Sequence, residues 1–313
     1  MSAMPFIHLA KNPGIAIVPL SSAALSIDGI SRAEANLAAR GFIVHNYYHH
    51  EQRFQRFAAS EASRLAALYD AVEHPDVQVI MALRGGYGLS RLLLQIDFAR
   101  IAKGNKIFVG FSDFNALQLA LLAQANLASV CGPTLCDDFT RTDLSHITLP
   151  DFFDCIEQSE PIGQRLHKLS FYSADNQNRQ MQVQGQLWGG NLAMLVHLLG
   201  SEFFPQIDAG ILFVEDVGEH PYRVERMLLQ LLHAGVLEKQ KAIVMGSFSA
   251  YKLAEHDNGY DFEQMLNYLR SVISVPIITG LPFGHIKDKV SLVIGSQADL
   301  QVDLNQVILT MQY

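Results

Sequence analysis

Lys106-Ile107-Phe108-Val109-Gly110 is a short apolar run, and Phe111-Ser112-Asp113 after it form a sharp turn into a helix predicted from Phe114 to Ala125. Apolar runs of this length that are bounded by turn residues are typical of buried strands. A strand that passes at once into a helix is the repeating unit of an α/β fold. The segment therefore predicts a parallel, doubly wound sheet.

The same alternation of strand and helix extends to both sides of this segment. The predicted strands cover residues 14–19, 42–44, 77–83, 106–110, 210–215, 242–246, 276–279 and 290–294. The predicted helices cover residues 31–40, 60–72, a stretch from about 89, 114–125, 192–199 and 223–233. Helical crossovers between neighbouring strands make those strands parallel, so the pattern supports the doubly wound sheet.

The chain is long enough for two domains. It has 313 residues, of which 49% are hydrophobic and 17% are charged, as in folded globular proteins. Between about residues 141 and 184 the sequence becomes more polar, and residues 173–178 are a turn or loop signal. We predict an N-terminal domain of residues 1–165 with a doubly wound, mostly parallel sheet, and a smaller C-terminal α/β domain of residues 166–313.

Charge and composition exclude several classes of partner. The net charge is -8 and the pI is near 5.8, without the clustered Lys and Arg that nucleic acid binding requires. The sequence lacks a secretory signal pattern, and no apolar run approaches the roughly 18 residues of a membrane span. The three cysteines form no CxxC pair and no zinc-ligand spacing. These features predict a cytoplasmic protein that binds neither nucleic acid nor membrane and uses no metal or other cofactor.

Ser112 lies on the turn between strand and helix, which is the arrangement of a nucleophile elbow. Such a turn lifts the hydroxyl above the carboxyl ends of the strands. It also brings the amide of Asp113 to the helix N-terminus, where an oxyanion is stabilised. The motif is Gly-x-Ser-Asp and lacks the final Gly of Gly-x-Ser-x-Gly. Taken alone, it is also explained by Ser112 or Asp113 capping the helix.

The segment Arg84-Gly85-Gly86-Tyr87-Gly88 ends another buried strand with unobstructed backbone amides. It matches neither a phosphate-binding P-loop nor a dinucleotide motif, because Leu89-Ser90-Arg91 follow the last Gly. An acyl-transfer site needs a second oxyanion donor from a neighbouring loop, and the amide of Gly86 is the best candidate. A tight glycine turn without a ligand is the alternative.

Two titratable residues of the second half of the chain are candidates for the same site. Glu215 stands at the carboxyl end of an apolar strand, where α/β proteins place functional residues. An ion pair with Arg223 or Arg226 would explain Glu215 equally well. His285 lies in a loop after Pro282 and could turn toward the first domain as a general base, because imidazole titrates near neutral pH. A lone loop histidine is otherwise an ordinary surface residue.

Ser112, Glu215 and His285 occur in the order Ser, acid, His, which is the order of α/β-hydrolase triads. In a triad the carboxylate holds the imidazole tautomer, and the imidazole activates the hydroxyl. Backbone amides, here those of Gly86 and Asp113, receive the tetrahedral oxygen. Together these residues predict a serine hydrolase with its active site in the cleft between the two domains.

The motifs resemble the LD-carboxypeptidase family of serine peptidases, which includes the murein tetrapeptide carboxypeptidases and the microcin C immunity peptidases. The resemblance covers nearly the whole chain, with the motifs in family order. They are residues 15–22 (IAIVPLSS), 84–88 (RGGYG), 110–113 (GFSD), 189–192 (GGNL), 215–216 (ED) with 222–223 (YR), and 284–285 (GH).

The resemblance implies a triad of Ser112, Glu215 and His285, with the serine on the N-terminal domain and the other two residues on the C-terminal domain. It also implies hydrolysis, without a metal, of the amide between an L-centre, usually that of a diamino acid, and the terminal D-alanine of a murein tetrapeptide. The implied setting is peptidoglycan recycling by a homodimer. The family often has Tyr and Thr where this chain has Phe111 and Asn115, a difference that concerns fine positioning.

Two further residues are candidates for substrate contacts. Arg84 could hold the terminal carboxylate of a peptide as a bidentate pair, with a structural ion pair as the alternative. Trp188, the only tryptophan, could form a wall of the cleft or else anchor the core or the domain interface.

Two other functions stay open from the sequence. The same chemistry could detoxify a peptidyl or aminoacyl nucleotide, although the chain has no additional aromatic loop suited to stacking a nucleobase. A protein of two α/β domains could also close on a small solute without catalysis, with Ser112 and Arg84 as ligand contacts.

Overall fold

Two β-sheets organise the chain. The computed structural model describes residues 7–157, 164–174 and 180–313. The strands in those ranges are β1 (Gly14–Val18), β2 (Ile43–Asn46), β3 (Val77–Ala82), β4 (Ile107–Gly110), β5 (Ser129–Cys131), β6 (Leu166–Tyr172), β7 (Gln180–Asn191), β8 (Ile211–Val217), β9 (Ala242–Ser249), β10 (Ile277–Ile278), β11 (Leu292–Ile294), β12 (Gln297–Asp303) and β13 (Gln306–Gln312).

The α-helices cover the faces of these sheets. They are α1 (Ile30–Ala39), α2 (Glu61–Glu73), α3 (Phe98–Gly104), α4 (Asn115–Ala125), α5 (Thr148–Glu157), α6 (Leu192–Leu198), α7 (Pro221–His233) and α8 (Phe262–Val272). Within the described residues, none of these helices has the length and apolar character that crossing a lipid bilayer requires.

The first sheet has the strand order β11-β5-β4-β3-β1-β2. Its five strands from the first half of the chain are all parallel, because a crossover connection brings the chain back to the same end of the sheet before each new strand. Strands β1 and β4 are buried along their whole length, as expected for a sheet covered on both faces. The predicted doubly wound parallel sheet is confirmed.

The second sheet is mixed, with the order β10-β9-β8-β7-β12-β13-β6. The long strand β7 joins the antiparallel part of this sheet to its parallel part. Its residues 180–186 pair antiparallel with β12, and residues 187–191 pair parallel with β8. The last pair in the parallel register joins Asn191 to Glu215. The carboxyl ends of β7 and β8 therefore meet at these two residues.

Strand β11 belongs to the first sheet although it comes from the second half of the chain. It pairs antiparallel with β5, whereas the preceding strand β10 pairs with β9 of the second sheet. The segment between β10 and β11 therefore passes from one sheet to the other. It carries His285 across the boundary between the predicted domains.

One predicted helix and one predicted loop need comment. From Leu89 the chain forms two short turns and enters a helix only at α3, whose N-terminus is capped by Asp97. In this path the Leu89 amide donates to Asp113, and the carbonyl of Gly88 accepts from Arg64, so the two turns are tied to other segments. Residues 175–178 of the predicted loop lie outside the described residues.

Candidate active site

Ser112 lies directly after β4 with a positive φ of 64°. A left-handed backbone is unfavourable for a residue with a Cβ, and it is the conformation that turns a nucleophile away from its sheet. A Cβ added to Gly85 would lie 2.8 Å from Ser112 Oγ. Only glycine at position 85 therefore lets the loop after β3 pass beside the hydroxyl.

The structure brings the side chains of Ser112, His285 and Glu215 into one hydrogen-bonded chain. His285 Nε2 is 3.0 Å from Ser112 Oγ, and His285 Nδ1 is 2.8 Å from Glu215 Oε2. A carboxylate only accepts hydrogen bonds, so Nδ1 carries the proton and Nε2 offers its lone pair to the Ser112 hydroxyl. This arrangement can remove the hydroxyl proton as the oxygen attacks a carbonyl carbon.

Glu215 is fully buried at the end of β8, and both of its carboxylate oxygens are engaged. Oε2 accepts from His285, and Oε1 accepts from the side-chain amide of Asn191 at 3.1 Å. The alternative ion pair with Arg223 or Arg226 does not occur among the described residues: Glu215 pairs with His285, and Arg223 faces Glu219 at 3.6 Å. The Glu215 carboxylate therefore binds the imidazole of His285 and the side-chain amide of Asn191.

The loop between β10 and β11 aims His285 at both partners. Gly284 has a φ of 134°, and a Cβ there would lie 3.0 Å from Glu215 Oε2, so a side chain at this position would obstruct the carboxylate. The ring of Phe111 packs against the imidazole with the centroids 4.9 Å apart. The residue before the nucleophile therefore supports the base.

The electrostatic surroundings of His285 favour its protonated form. Burial lowers the pKa of His285, but the hydrogen bond and charge of Glu215, together with the charges of Asp137 and Asp216, outweigh burial. The net pKa lies above its ordinary value. An imidazolium formed during proton transfer is stabilised by the same carboxylates.

The two amides predicted to form the oxyanion hole lie in the loops that meet at Ser112. The Cβ position of Gly85 is 3.5 Å from the Asp113 nitrogen, and Gly86 follows in the same loop. Neither the Gly86 amide nor the Asp113 amide donates a hydrogen bond to another residue in the described part of the chain. The amides of Gly86 and Asp113 therefore remain the predicted donors to an oxygen anion.

The side chain of Asp113 ties the same loops together. Its Oδ2 accepts from the Ser21 hydroxyl at 2.7 Å and from the Leu89 amide at 3.0 Å. Burial raises the pKa of Asp113, and these hydrogen bonds oppose the rise. Ser21 thus links the loop after β1 to the elbow, a role that sequence patterns did not indicate.

Arg84 and Trp188, the two predicted substrate contacts, have different surroundings. Arg84 is partly buried, donates from Nη1 to the carbonyl of Ala23 at 3.2 Å, and has a buried Nε without a hydrogen-bond partner among the described residues. Trp188 is fully buried, and its indole N–H donates to Gln240 Oε1 at 2.9 Å.

The prediction that Trp188 is a wall of the cleft is therefore wrong. Its indole lies edge-on to Phe204. Trp188 itself is on β7, three residues before Asn191, and pairs with Leu212 near the start of β8. A buried indole needs an apolar setting and a partner for its N–H, and Phe204 and Gln240 supply both. Trp188 is a core residue of the second domain.

Asn191 and Asn115 make contacts at the site that sequence reasoning did not indicate. Asn191 caps α6 and contacts both Glu215 and Asp216 through its Nδ2. Asn115 Oδ1 accepts from the Asn191 amide at 3.0 Å and so joins α4 of the first domain to the site of the second. The signal available in the sequence was an Asn between a strand and a helix, a typical N-cap.

Comparison with known proteins identifies the family. Residues 15–132 match the family model of the LD-carboxypeptidase N-terminal domain, and residues 184–300 match that of the LD-carboxypeptidase C-terminal domain. The murein tetrapeptide carboxypeptidase of Pseudomonas aeruginosa is 31% identical over 281 residues, covering 86% of each chain. The microcin C7 self-immunity protein MccF of Escherichia coli is 27% identical, covering 78% of this chain and 77% of its own length.

A solved structure agrees with the sequence matches. The muramoyltetrapeptide carboxypeptidase from Oxalobacter formigenes superposes with a TM-score of 0.89 at 46% identity, and the match covers 96% of this chain and 99% of that one. The family models together with this match cover both sheets and the segments that carry Ser112, Glu215 and His285. The chain belongs to the LD-carboxypeptidase family and is a carboxypeptidase.

Proposed function

We propose that this carboxypeptidase removes the terminal D-alanine from murein tetrapeptides by hydrolysing the amide that joins it to the L-centre of the preceding diamino acid. The observation that carries the proposal is the hydrogen-bonded chain from Ser112 through His285 to Glu215. The substrate is suggested by the relatives at 31% and 46% identity, which are named for murein or muramoyl tetrapeptides.

In the proposed reaction the Ser112 oxygen attacks the carbonyl carbon of the diamino acid while His285 accepts the hydroxyl proton. The carbonyl oxygen becomes an oxyanion that the amides of Gly86 and Asp113 bind. When the tetrahedral intermediate collapses, the C–N bond breaks and His285 returns the proton to the nitrogen of the leaving D-alanine. An acyl-enzyme ester on Ser112 remains.

Water completes the proposed cycle. His285 removes a proton from water, the resulting hydroxide attacks the ester carbonyl, and a second tetrahedral intermediate forms in the same oxyanion site. Its collapse breaks the ester bond, and Ser112 regains its proton from His285. Glu215 keeps its charge and stabilises the imidazolium in both halves of the reaction.

Arg84 is the proposed anchor for the carboxylate of the terminal residue. Its guanidinium is partly buried near the Gly85–Gly86 loop, and its Nε lacks a hydrogen-bond partner in the described part of the chain. A guanidinium of this kind binds a carboxylate through two parallel hydrogen bonds. Such an anchor would explain removal of one residue from a free carboxyl end.

A second candidate substrate is a peptidyl or aminoacyl nucleotide, since the immunity protein at 27% identity shares the family. Ser112, His285 and the two amides would act identically, and only the leaving group would differ. Incubation of the purified protein with a murein tetrapeptide and with an aminoacyl-nucleotide amide, followed by mass spectrometry, separates the two. We expect loss of one alanine from the tetrapeptide. An intact tetrapeptide with rapid cleavage of the nucleotide conjugate would contradict the proposed substrate.

Two finer properties follow from the resemblance and are part of the proposal. We expect a homodimer, to be measured by sedimentation equilibrium at micromolar concentration. We also expect activity in the cytoplasmic fraction of the source cell, where recycled murein peptides would be trimmed. A monomer in sedimentation, or activity confined to another fraction, would overturn the respective expectation.

A further inference from the structure

A buried ion pair joins the two domains beside the proposed catalytic residues. Lys289 Nζ is 2.5 Å from Asp138 Oδ1, and the two residues are only 1% and 3% exposed. Asp138 lies in the helical turn Leu135–Phe139 of the first domain. Lys289 lies in the segment between β10 and β11, four residues after His285.

The ammonium group of Lys289 contacts the neighbours of both the nucleophile and the base. It donates to the carbonyl of Ile286, the residue after His285, at 3.2 Å. It also lies 4.7 Å from the ring centroid of Phe111, the residue before Ser112, as a cation–π contact. The buried charge of Lys289 therefore contacts both the backbone next to His285 and the Phe111 ring that packs against the imidazole.

Both partners of the ion pair are themselves fixed. Asp138 Oδ2 accepts from the Thr134 amide at 2.9 Å, and the Lys289 amide donates to Thr148 Oγ1 at 2.9 Å. A buried ion pair is a weak source of stability, because the loss of hydration of two charges offsets most of their attraction. Removing either partner alone is strongly destabilising, however, because it leaves an uncompensated buried charge.

We propose that Lys289, held by Asp138, is a positioning residue that sets the distance between His285 and Ser112 across the domain interface. The proposal rests on the proposed roles of Ser112 and His285. The base and the nucleophile lie on separate domains, so their 3.0 Å contact depends on the path of one connecting segment. Lys289 is the buried charge that ties this segment to the nucleophile-bearing domain.

The test is the double variant Lys289→Met/Asp138→Asn, compared with each single variant. Removing both charges leaves no unpaired buried ion, so the double variant is expected to fold. We expect its kcat on the tetrapeptide to fall by at least about tenfold with KM changed by less than about twofold, because small displacements of a base have large effects on rate.

A second measurement does not depend on the substrate. Titration of the His285 imidazole by NMR reports its hydrogen bond to Glu215 in the wild type and in the double variant. We expect the pKa of His285 to fall toward its ordinary value in the variant, because a loosened loop weakens that hydrogen bond. This readout remains valid if the tetrapeptide is not the substrate, so failure of the proposed function and failure of this inference are distinguishable.

Two controls separate positioning from general stability. Lys287→Met removes an exposed ion pair with Asp143 from the same loop and should leave kcat and the His285 pKa unchanged. Leu300→Ala opens a cavity in the second sheet and should lower Tm while leaving kcat unchanged below the transition. Wild-type kcat and an unchanged His285 pKa in the double variant would overturn the proposal.

Discussion

Asn191 donates a hydrogen bond from its side chain to Glu215 Oε1 at 3.1 Å, while the other oxygen of Glu215 accepts from His285. The two residues are also the last parallel pair between β7 and β8. The carboxylate is therefore held on both sides by groups from different segments, and its orientation is fixed before substrate binds. A charged group that is already oriented in this way stabilises the imidazolium without having to move during the reaction.

Replacing Asn191 by Ala should lower both activity and stability. The variant loses the bond to Glu215 and the N-cap of α6, and the lost cap alone costs about 1 kcal/mol. We expect kcat to fall by about tenfold or more, since the buried carboxylate is free to turn. Steady-state kinetics and urea unfolding measure the two effects. A variant that loses stability but keeps wild-type kcat would show that Asn191 does not position Glu215.

Replacing Ser112 by Ala should abolish hydrolysis and leave the fold intact. The change removes the proposed nucleophile and very little volume, and loss of a serine nucleophile lowers kcat by about 10⁴-fold or more. Mass spectrometry of the tetrapeptide after prolonged incubation detects residual cleavage, and circular dichroism checks the fold. The exposed Ser170 on β6 provides a matched control, since its Ala variant should remain fully active. A kcat of Ser112→Ala close to that of the wild type and of the Ser170 variant would refute the assignment.

The pH dependence of kcat/KM should report the titration of His285. The base must be neutral to accept the Ser112 proton, and the pKa of His285 lies above its ordinary 6.5. Activity should therefore rise with pH, with a midpoint above that value. In Glu215→Gln the hydrogen-bonded negative charge is lost, so the midpoint should move to lower pH while kcat falls. An unchanged midpoint in the variant would mean that another group controls the profile.

Asp216 should make the protein less stable as pH rises through about 6. Burial, with the charge of Glu215, raises the pKa of Asp216 from 3.8 to about 6, although hydrogen bonds from Val217, Asn191 and Ala193 oppose this. As pH rises, the Asp216 carboxyl loses its proton in the unfolded chain before it does so in the folded protein. The contribution of this group to the free energy of unfolding is therefore complete below about pH 4, and it is lost as pH rises through the folded pKa. The loss is on the order of 3 kcal/mol.

The measurement for Asp216 is urea unfolding between about pH 4 and pH 7 in the wild type and in Asp216→Asn. The Asn variant loses one acceptor and is less stable at low pH, but the difference from the wild type should shrink as pH rises. Parallel pH dependences in the two proteins would exclude a raised pKa at this position.

Arg84→Met should weaken recognition of the free carboxyl end. We expect kcat/KM for the tetrapeptide to fall about 100-fold, as for loss of a charged bidentate pair. A tetrapeptide that ends in D-alaninamide should be a poor substrate for both proteins. Arg91, an exposed arginine paired with Glu61, is a matched control whose Met variant should behave as the wild type. Equal losses on the acid and the amide would argue for a structural role of Arg84.

Much of the fold follows from local patterns. Strands β1, β3, β4 and β8 lie within a residue or two of the predicted bounds, because short apolar runs between turn residues have few other stable conformations. The segment from Leu89, predicted as a helix, instead forms two short turns. Its first amide donates to Asp113, which is 24 residues away in the chain.

Sequence alone thus determined the α/β alternation, the turn at Ser112 and the glycines beside it. These depend on backbone sterics and on hydrophobic periodicity, which act over a few residues. Tertiary structure decided which side chains meet. His285 and Ser112 are 173 residues apart, and Lys289 and Asp138 are 151 apart. It also buried Trp188 and sent β11 back to the first sheet. Such contacts have no periodicity in the chain, because they depend on how two separately formed sheets pack together.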